Sequence, residues 1–168
     1  KGGDPFVFGR GSEEALTLRQ AGIRCEVVPG ITAAQGCAAS VGVPLTHRGL
    51  ATGVRLVTGH CRQDEPLDLD WKGLADPDTT LVVYMGAANI AEISSRLMYE
   101  GRAASTPVLA INNGTTPRER LVRADLATIT RSTRPGWTEL RCTSRPTTFA
   151  RWSARWPIAT RVASSASC

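Results

Sequence analysis

With 168 residues, 42% of them hydrophobic, the chain has enough apolar material for one domain or two small ones, and no apolar run approaches the roughly 18 residues needed to span a bilayer. The five cysteines, at 25, 37, 61, 142 and 168, form no Cys-x-x-Cys pair, and His47 and His60 have no partner at metal-ligand spacing. These spacings argue against a structural metal or a disulfide framework and for a reduced, soluble, cytoplasmic protein. The net charge of +5 is uneven: residues 1–130 hold 13 Lys and Arg against 14 Asp and Glu, whereas residues 131–168 hold seven Arg and the single acid Glu139.

The opening stretch, KGGDPFVFGRG, has four glycines in eleven residues, no initiator Met and none of the regions of a signal peptide. It reads as an internal point of a longer chain. Ser12 is positioned to cap a helix over 12–21, with Glu13 and Glu14 against the positive end of its dipole and Gly22 as its stop. IRCEVV at 23–28 predicts a short strand ended by Pro29-Gly30, and the small residues of 31–42 predict a closely packing helix. Irregular sequence from Pro44 to Gly53 marks a domain boundary. VRLVTGH at 54–60 is a new apolar run, Trp71 to Ala75 a short helical turn, and TTLVVYMG at 79–86 a buried strand. Ile90, Ile93, Leu97 and Met98, spaced by three and four before Gly101, predict an amphipathic helix over 88–100, and TPVLAIN at 106–112 a further buried strand. Such alternation gives a layered α/β fold on an open, parallel sheet.

The tail from residue 131 departs from this order. It carries three of the four tryptophans, no Lys and no sustained period of 2 or 3.6. Arginine interleaved with aromatics is one composition of a nucleic-acid arm; foreign or out-of-frame sequence, disordered in the protein, is the preferred reading of so abrupt a change.

Chemistry in α/β sheets sits in loops at the carboxyl ends of strands. GGD at 2–4, PGITA at 29–33 and YMG at 84–86 are the candidates. None matches the P-loop or the dinucleotide Gly-x-Gly-x-x-Gly fingerprint. Gly-Gly-Asp-Pro is good turn chemistry on its own account, so a single such loop has a purely connective alternative.

In combination the loops are more specific. KGGDPFVFGRGSEEA, VVPGITAA, GVPLTHRG, LVTGH, VVYMG and NNGTTPRER, in this order, resemble the uroporphyrinogen-III C-methyltransferases of the tetrapyrrole methylase family over residues 1 to about 129. The resemblance implies a two-domain α/β homodimer that binds S-adenosylmethionine between its domains. It would transfer two methyl groups in succession to uroporphyrinogen III, giving precorrin-2 on the route to sirohaem and cobalamin. On this alignment residues 1–45 are the remainder of the first domain and residues 46–130 are most of the second. Gly2, Gly3, Asp4, Val7, Thr32, Ala33, Met85 and Gly114 would contact the cofactor. Glycines admit a flat polar ligand close to the backbone, and Asp4 accepts hydrogen bonds from hydroxyl or ammonium donors. Arg10, Arg48 and Arg55 are candidates for the substrate's carboxylates, with solvated surface arginine as the alternative. His47 and His60 read as structural hydrogen-bonders.

Methyl transfer of this kind needs no nucleophilic side chain, because a pyrrole carbon attacks the sulfonium methyl in line. The family's GxGPGDP loop, its general-base Asp and its general-acid Lys precede the residue aligned with Lys1, and its closing helix and GEVV-type strand have no counterpart at 131–168. The chain alone is therefore expected to be a poor enzyme or none. A cofactor- or nucleotide-binding module without catalysis, or another precorrin methyltransferase, are the alternatives; no nucleic-acid or membrane partner is expected.

Overall fold

The computed structural model describes residues 3–60 and 66–133. Two helices come first, α1 (Gly11–Gln20) and α2 (Ala33–Val41). They are followed by β1 (Gly53–Thr58), α3 (Trp71–Leu74), β2 (Thr79–Tyr84), α4 (Ile90–Tyr99), β3 (Pro107–Asn112), β4 (Arg120–Asp125) and α5 (Ile129–Ser132). β1 and β2 pair in parallel from Gly53–Thr79 to Thr58–Tyr84, and β3 and β4 pair antiparallel from Pro107–Asp125 to Asn112–Arg120. Among the described residues the two pairs are separate two-stranded sheets.

The core lies in the second part of the chain. Leu67, Leu74, Ile93, Leu97 and Leu126 form its buried cluster, with Val57, Trp71, Leu81, Val83 and Val108 packed against it. Ile129 is wholly buried. The three-and-four spacing in α4 works as the pattern requires: Ile93 and Leu97 face the core while Glu92 and Arg96 meet on the other side at 3.7 Å. α1, α2 and α4 end alike, on Gly22, Gly42 and Gly101 with φ of 71°, 69° and 96°. The amides of Ile23, Val43 and Arg102 then reach back to the carbonyls of Leu18, Ala38 and Leu97, each at 2.9 Å. Past this turn the Arg102 guanidinium donates to the carbonyls of Leu74, Asp76 and Thr79 at 2.8 to 3.1 Å, joining the end of α4 to the α3–β2 connection.

Several expectations are corrected. Residues 23–28 form no strand: every one is exposed, no described strand lies beside them, and Arg24 pairs with Glu26 along the same segment. A strand is stable only with a neighbour to take its backbone bonds. Ser12 does not cap α1; Arg10 holds that position in a left-handed conformation, and the Gly11 amide donates to the Pro5 carbonyl instead. α2 starts two residues later than expected because Thr32 is extended. The strand expected at 79–86 ends at Tyr84, where Met85 turns to φ 55°, and the apolar run at 54–60 supplies β1, which ends at Thr58. The sheet is not wholly parallel, since β4, not anticipated, returns antiparallel beside β3. The tail from residue 134 lies outside the described residues.

Candidate functional site

Four loops gather around the first turns of α2. The loop before α1 is folded on Asp4, whose Oδ1 accepts the Phe6 amide at 2.8 Å and whose Oδ2 accepts the Gly30 amide at 3.0 Å. The bond from Gly30, then that from Phe6, hold the Asp4 carboxyl below the ordinary carboxylate range. Gly30 lies so close to the Gly3 carbonyl that any side chain there would overlap it, which explains the glycine in PGITA. Gly11 lies just as tightly on Pro5. The loop from Gly3 to Gly9 and the loop before α2 are thus one packed unit.

The second contribution comes from the end of β2. The Tyr84 hydroxyl lies 2.5 Å from Thr32 Oγ1 and accepts the Ala34 amide at 3.1 Å. Its ring meets Phe8 with centroids 4.8 Å apart and planes at 46°. Met85, immediately after, is 57% exposed. The third comes from the turn between β3 and β4. There Gly114 rests on the Cys37 sulfur, Thr115 approaches Gly36, and the Thr115 amide donates to Glu119 Oε2 at 2.7 Å. Burial raises the Cys37 thiol above its ordinary value, with Glu119 adding in the same direction.

Phe8, Arg10, Met85, Asn113 and Thr115 are the described residues that carry a side chain at positive φ, between 51° and 63°. All five lie in these loops. A left-handed backbone costs a residue with a side chain about 1–2 kcal/mol and persists where packing over-determines it, a situation concentrated at ligand clamps.

Below the loops lies a cavity of about 570 Å³ whose walls include Ala33, Cys37, Tyr84, Met85, Ile93 and Asn112. It runs down between β2 and β3. Its size falls in the usual range for small-molecule sites, about 300–1,000 Å³. Its mainly apolar walls, with a few polar groups among them, would suit a flat, partly polar ligand.

Of the residues singled out by sequence, Ala33 and Met85 line this cavity, and Thr32 is buried beside it. Gly3 and Asp4 sit against the Gly30–Thr32 loop, the Val7 amide donates to the Asp4 carbonyl at 3.4 Å, and Gly114 sits against α2. Gly2 lies outside the described residues. The arginines are less concentrated: Arg10 is held by Glu13 at 2.7 Å, Arg55 faces Asp70 at 3.8 Å, and Arg48 is exposed in the turn closed by His47 and Ala51. His47 Nδ1 is buried, with no hydrogen-bond partner among the described residues, whereas His60 is exposed. Among the described residues no group of three His, Cys, Asp or Glu could hold a metal ion, and no helix is long and apolar enough to cross a membrane. Sequence reasoning missed Tyr84, Phe8 and Cys37. Tyr84 stood inside the YMG motif, and its place at a strand end before a glycine was the available signal.

Comparison with known proteins identifies the family. Residues 1–130 match the family described as Tetrapyrrole (Corrin/Porphyrin) Methylases. The chain belongs to the tetrapyrrole methylase family. Its relatives in the family include the uroporphyrinogen-III C-methyltransferase of Paracoccus denitrificans, 59% identical over 129 residues that make up 77% of this chain and 45% of that one. The chloroplastic S-adenosyl-L-methionine-dependent uroporphyrinogen III methyltransferase of Arabidopsis thaliana is 55% identical over 75% of this chain and 34% of its own length. Among solved structures, the Thermus thermophilus uroporphyrin-III C-methyl transferase, complexed with S-adenyl homocysteine, superposes with a TM-score of 0.67 at 39% identity, over 84% of this chain and 59% of that one. Cobalt precorrin-4 methyltransferase gives a TM-score of 0.70 at 25% identity, over 78% of this chain and 55% of that one. The chain therefore spans less than half the length of these two sequence relatives and carries a tetrapyrrole methylase fold in part.

Proposed function

We propose that this chain is the cofactor-binding portion of an S-adenosylmethionine-dependent C-methyltransferase that acts on uroporphyrinogen III, adding two methyl groups in succession to give precorrin-2. Residues 1–45 would be the remainder of its first domain and residues 46–130 most of its second, in an enzyme that pairs as a homodimer. The observation that carries the reading is the convergence of the Gly3–Gly9, Gly30–Ala33, Tyr84–Gly86 and Asn113–Thr115 loops on α2, in a chain 59% identical to a named uroporphyrinogen-III C-methyltransferase.

The cofactor supplies an electrophilic methyl on a sulfonium. The protein's part is to hold it and keep water away. Close backbone packing at Gly3 and Gly30 fixes the loop before α1 against the loop before α2. Asn112 offers a polar group to the cavity, and Ala33 and Met85 offer apolar surface. Asp4, already holding two backbone amides, remains an acceptor for a further donor because each carboxylate oxygen has a second lone pair. Rate then comes from alignment of the reacting carbon with the methyl, which loops fixed at positive φ favour. Arg10 and Arg48 are exposed cations suited to a polycarboxylate substrate.

Calorimetry with S-adenosylhomocysteine tests the reading directly. Saturable binding to the chain, lost on Thr32→Trp substitution, is expected, together with turnover of uroporphyrinogen III far below that of a full-length relative. Binding of another nucleotide, and none of S-adenosylhomocysteine, would favour a binding module of different specificity and refute the proposal.

A further inference from the structure

We propose that Tyr84 is a positioning residue, which sets the geometry of the cofactor loops by capping α2 from outside the helix. The inference rests on the function proposed above for what the loops bind, and on the geometry alone for how they are held. The start of a helix leaves amides that no carbonyl of its own can accept, and a Ser, Thr, Asp or Asn at the cap position commonly accepts one of them. Thr32 occupies the cap position of α2, in the required extended conformation, yet its side chain makes no such bond. The amide of Ala34, two residues on, is accepted by the Tyr84 hydroxyl instead.

The hydroxyl oxygen of Tyr84 accepts from Ala34 and is also hydrogen-bonded to Thr32 Oγ1, 2.5 Å away, a bond in which either hydroxyl can donate. Thr32 is buried, and without Tyr84 its hydroxyl would lose this partner. Meanwhile the tyrosine ring packs on Phe8 of the glycine loop. One side chain therefore touches the loop before α1 and the loop before α2, and its own backbone leads straight into Met85.

The base from which it reaches is rigid. Tyr84 is in register with Thr58 of β1, and the Gly59 amide donates to its carbonyl at 2.7 Å. α2 by contrast is built of AAQGCAASV, small residues that bury little area, so its placement depends on a few contacts, among them Gly114 and Thr115 against Cys37 and Gly36. Tyr84 supplies the one at its start.

Tyr84→Phe keeps the ring and removes the hydroxyl. Hydrogen exchange at Ala34 should accelerate about fivefold, the usual worth of a helix cap, while exchange in α4 and β3 stays unchanged. Affinity for S-adenosylhomocysteine, read by calorimetry, should fall by a similar factor. Thr32→Val should produce much of the same loss, Thr32→Ser should retain the parent behaviour, and the Tyr84→Phe/Thr32→Val pair should lose little beyond either alone. A Tyr84→Phe chain with parent exchange at Ala34 overturns the proposal, as do additive losses in the pair. If the parent itself binds no S-adenosylhomocysteine, the proposed function fails, and exchange at Ala34 still decides whether Tyr84 holds the start of α2.

Discussion

Alanine at Gly114 should damage the site through a single atom. Gly114 does not have the positive φ of its neighbours Asn113 and Thr115, so alanine there meets no backbone penalty and any cost is steric. The new methyl would overlap the Cys37 sulfur and lie 3.3 Å from Ile111 Cγ2. Either α2 moves away from the 113–115 turn or Cys37 leaves its half-buried position. Forcing an extra carbon into a packed site costs about 1–3 kcal/mol, and partial exposure of the turn places this case near the lower end, about 1–1.5 kcal/mol. Urea unfolding followed by far-UV circular dichroism reads the loss as a lower midpoint at unchanged slope. Cys37→Ala removes the atom that collides, so the Gly114→Ala/Cys37→Ala double variant should recover at least half of it, a coupling of about 0.5–1 kcal/mol. Strict additivity of the two substitutions, or a Gly114→Ala chain as stable as the parent, would refute the reasoning.

Three further outcomes follow from the same contacts. The Asp4 carboxyl is depressed by the amides of Gly30 and Phe6, so the unfolded chain binds more protons in acid; the contribution is present above the unfolded pKa of about 3.9 and is lost as pH falls through the lower folded value. Thermal melts between about pH 5 and pH 3 should therefore show a steeper loss for the parent than for Asp4→Asn, and equal slopes would count against the role given to Asp4. Arg102→Ala leaves the carbonyls of Leu74, Asp76 and Thr79 without their donor and should cost about 2 kcal/mol; Arg102→Lys should recover only part, because an ammonium cannot reproduce the planar fork. Cys37, with its thiol raised by burial, should react with iodoacetamide at pH 8 more slowly than exposed Cys25, as peptide mass spectrometry would show, and equal rates would contradict the packing of Gly114 on the sulfur.

The elements legible in the sequence are those whose pattern depends on one chain segment alone. α4 is announced by Ile90, Ile93 and Leu97 and by Gly101, and β2 and β3 by continuous runs of branched residues. β4 was hidden because Arg120 and Arg123 interrupt its apolar pattern; its signal lay instead in the Asn-Gly-Thr-Thr-Pro turn that reverses the chain. IRCEVV has strand composition and no strand structure, since composition does not say whether a neighbour is present. The site followed the same division. Gly3, Thr32 and Met85 could be read from motifs, but that Asp4 bonds Gly30 across 26 positions and Tyr84 bonds Thr32 across 52 is a property of the assembled loops.

These long-range bonds decide which part of the molecule ligand binding can alter. The second part of the chain is stabilised by the cluster around Ile93 and Leu97, independently of any cofactor. Residues 3–45 have little comparable burial: Phe6, Leu16, Ile23, Val28 and Ile31 are exposed, and α2 contributes Ala34 as its buried residue. Their arrangement is set by a few polar and steric contacts, namely Asp4 on Gly30, Tyr84 on Thr32 and Ala34, and Cys37 on Gly114. None of these is an extensive apolar contact, so this region opens at a lower free energy than the core does. A ligand that touches all four loops stabilises their arrangement by its own binding free energy. The glycines of the opening loop and the strained residues around the cleft thus belong to one device, a set of loops held to α2 by a few contacts that a ligand can complete.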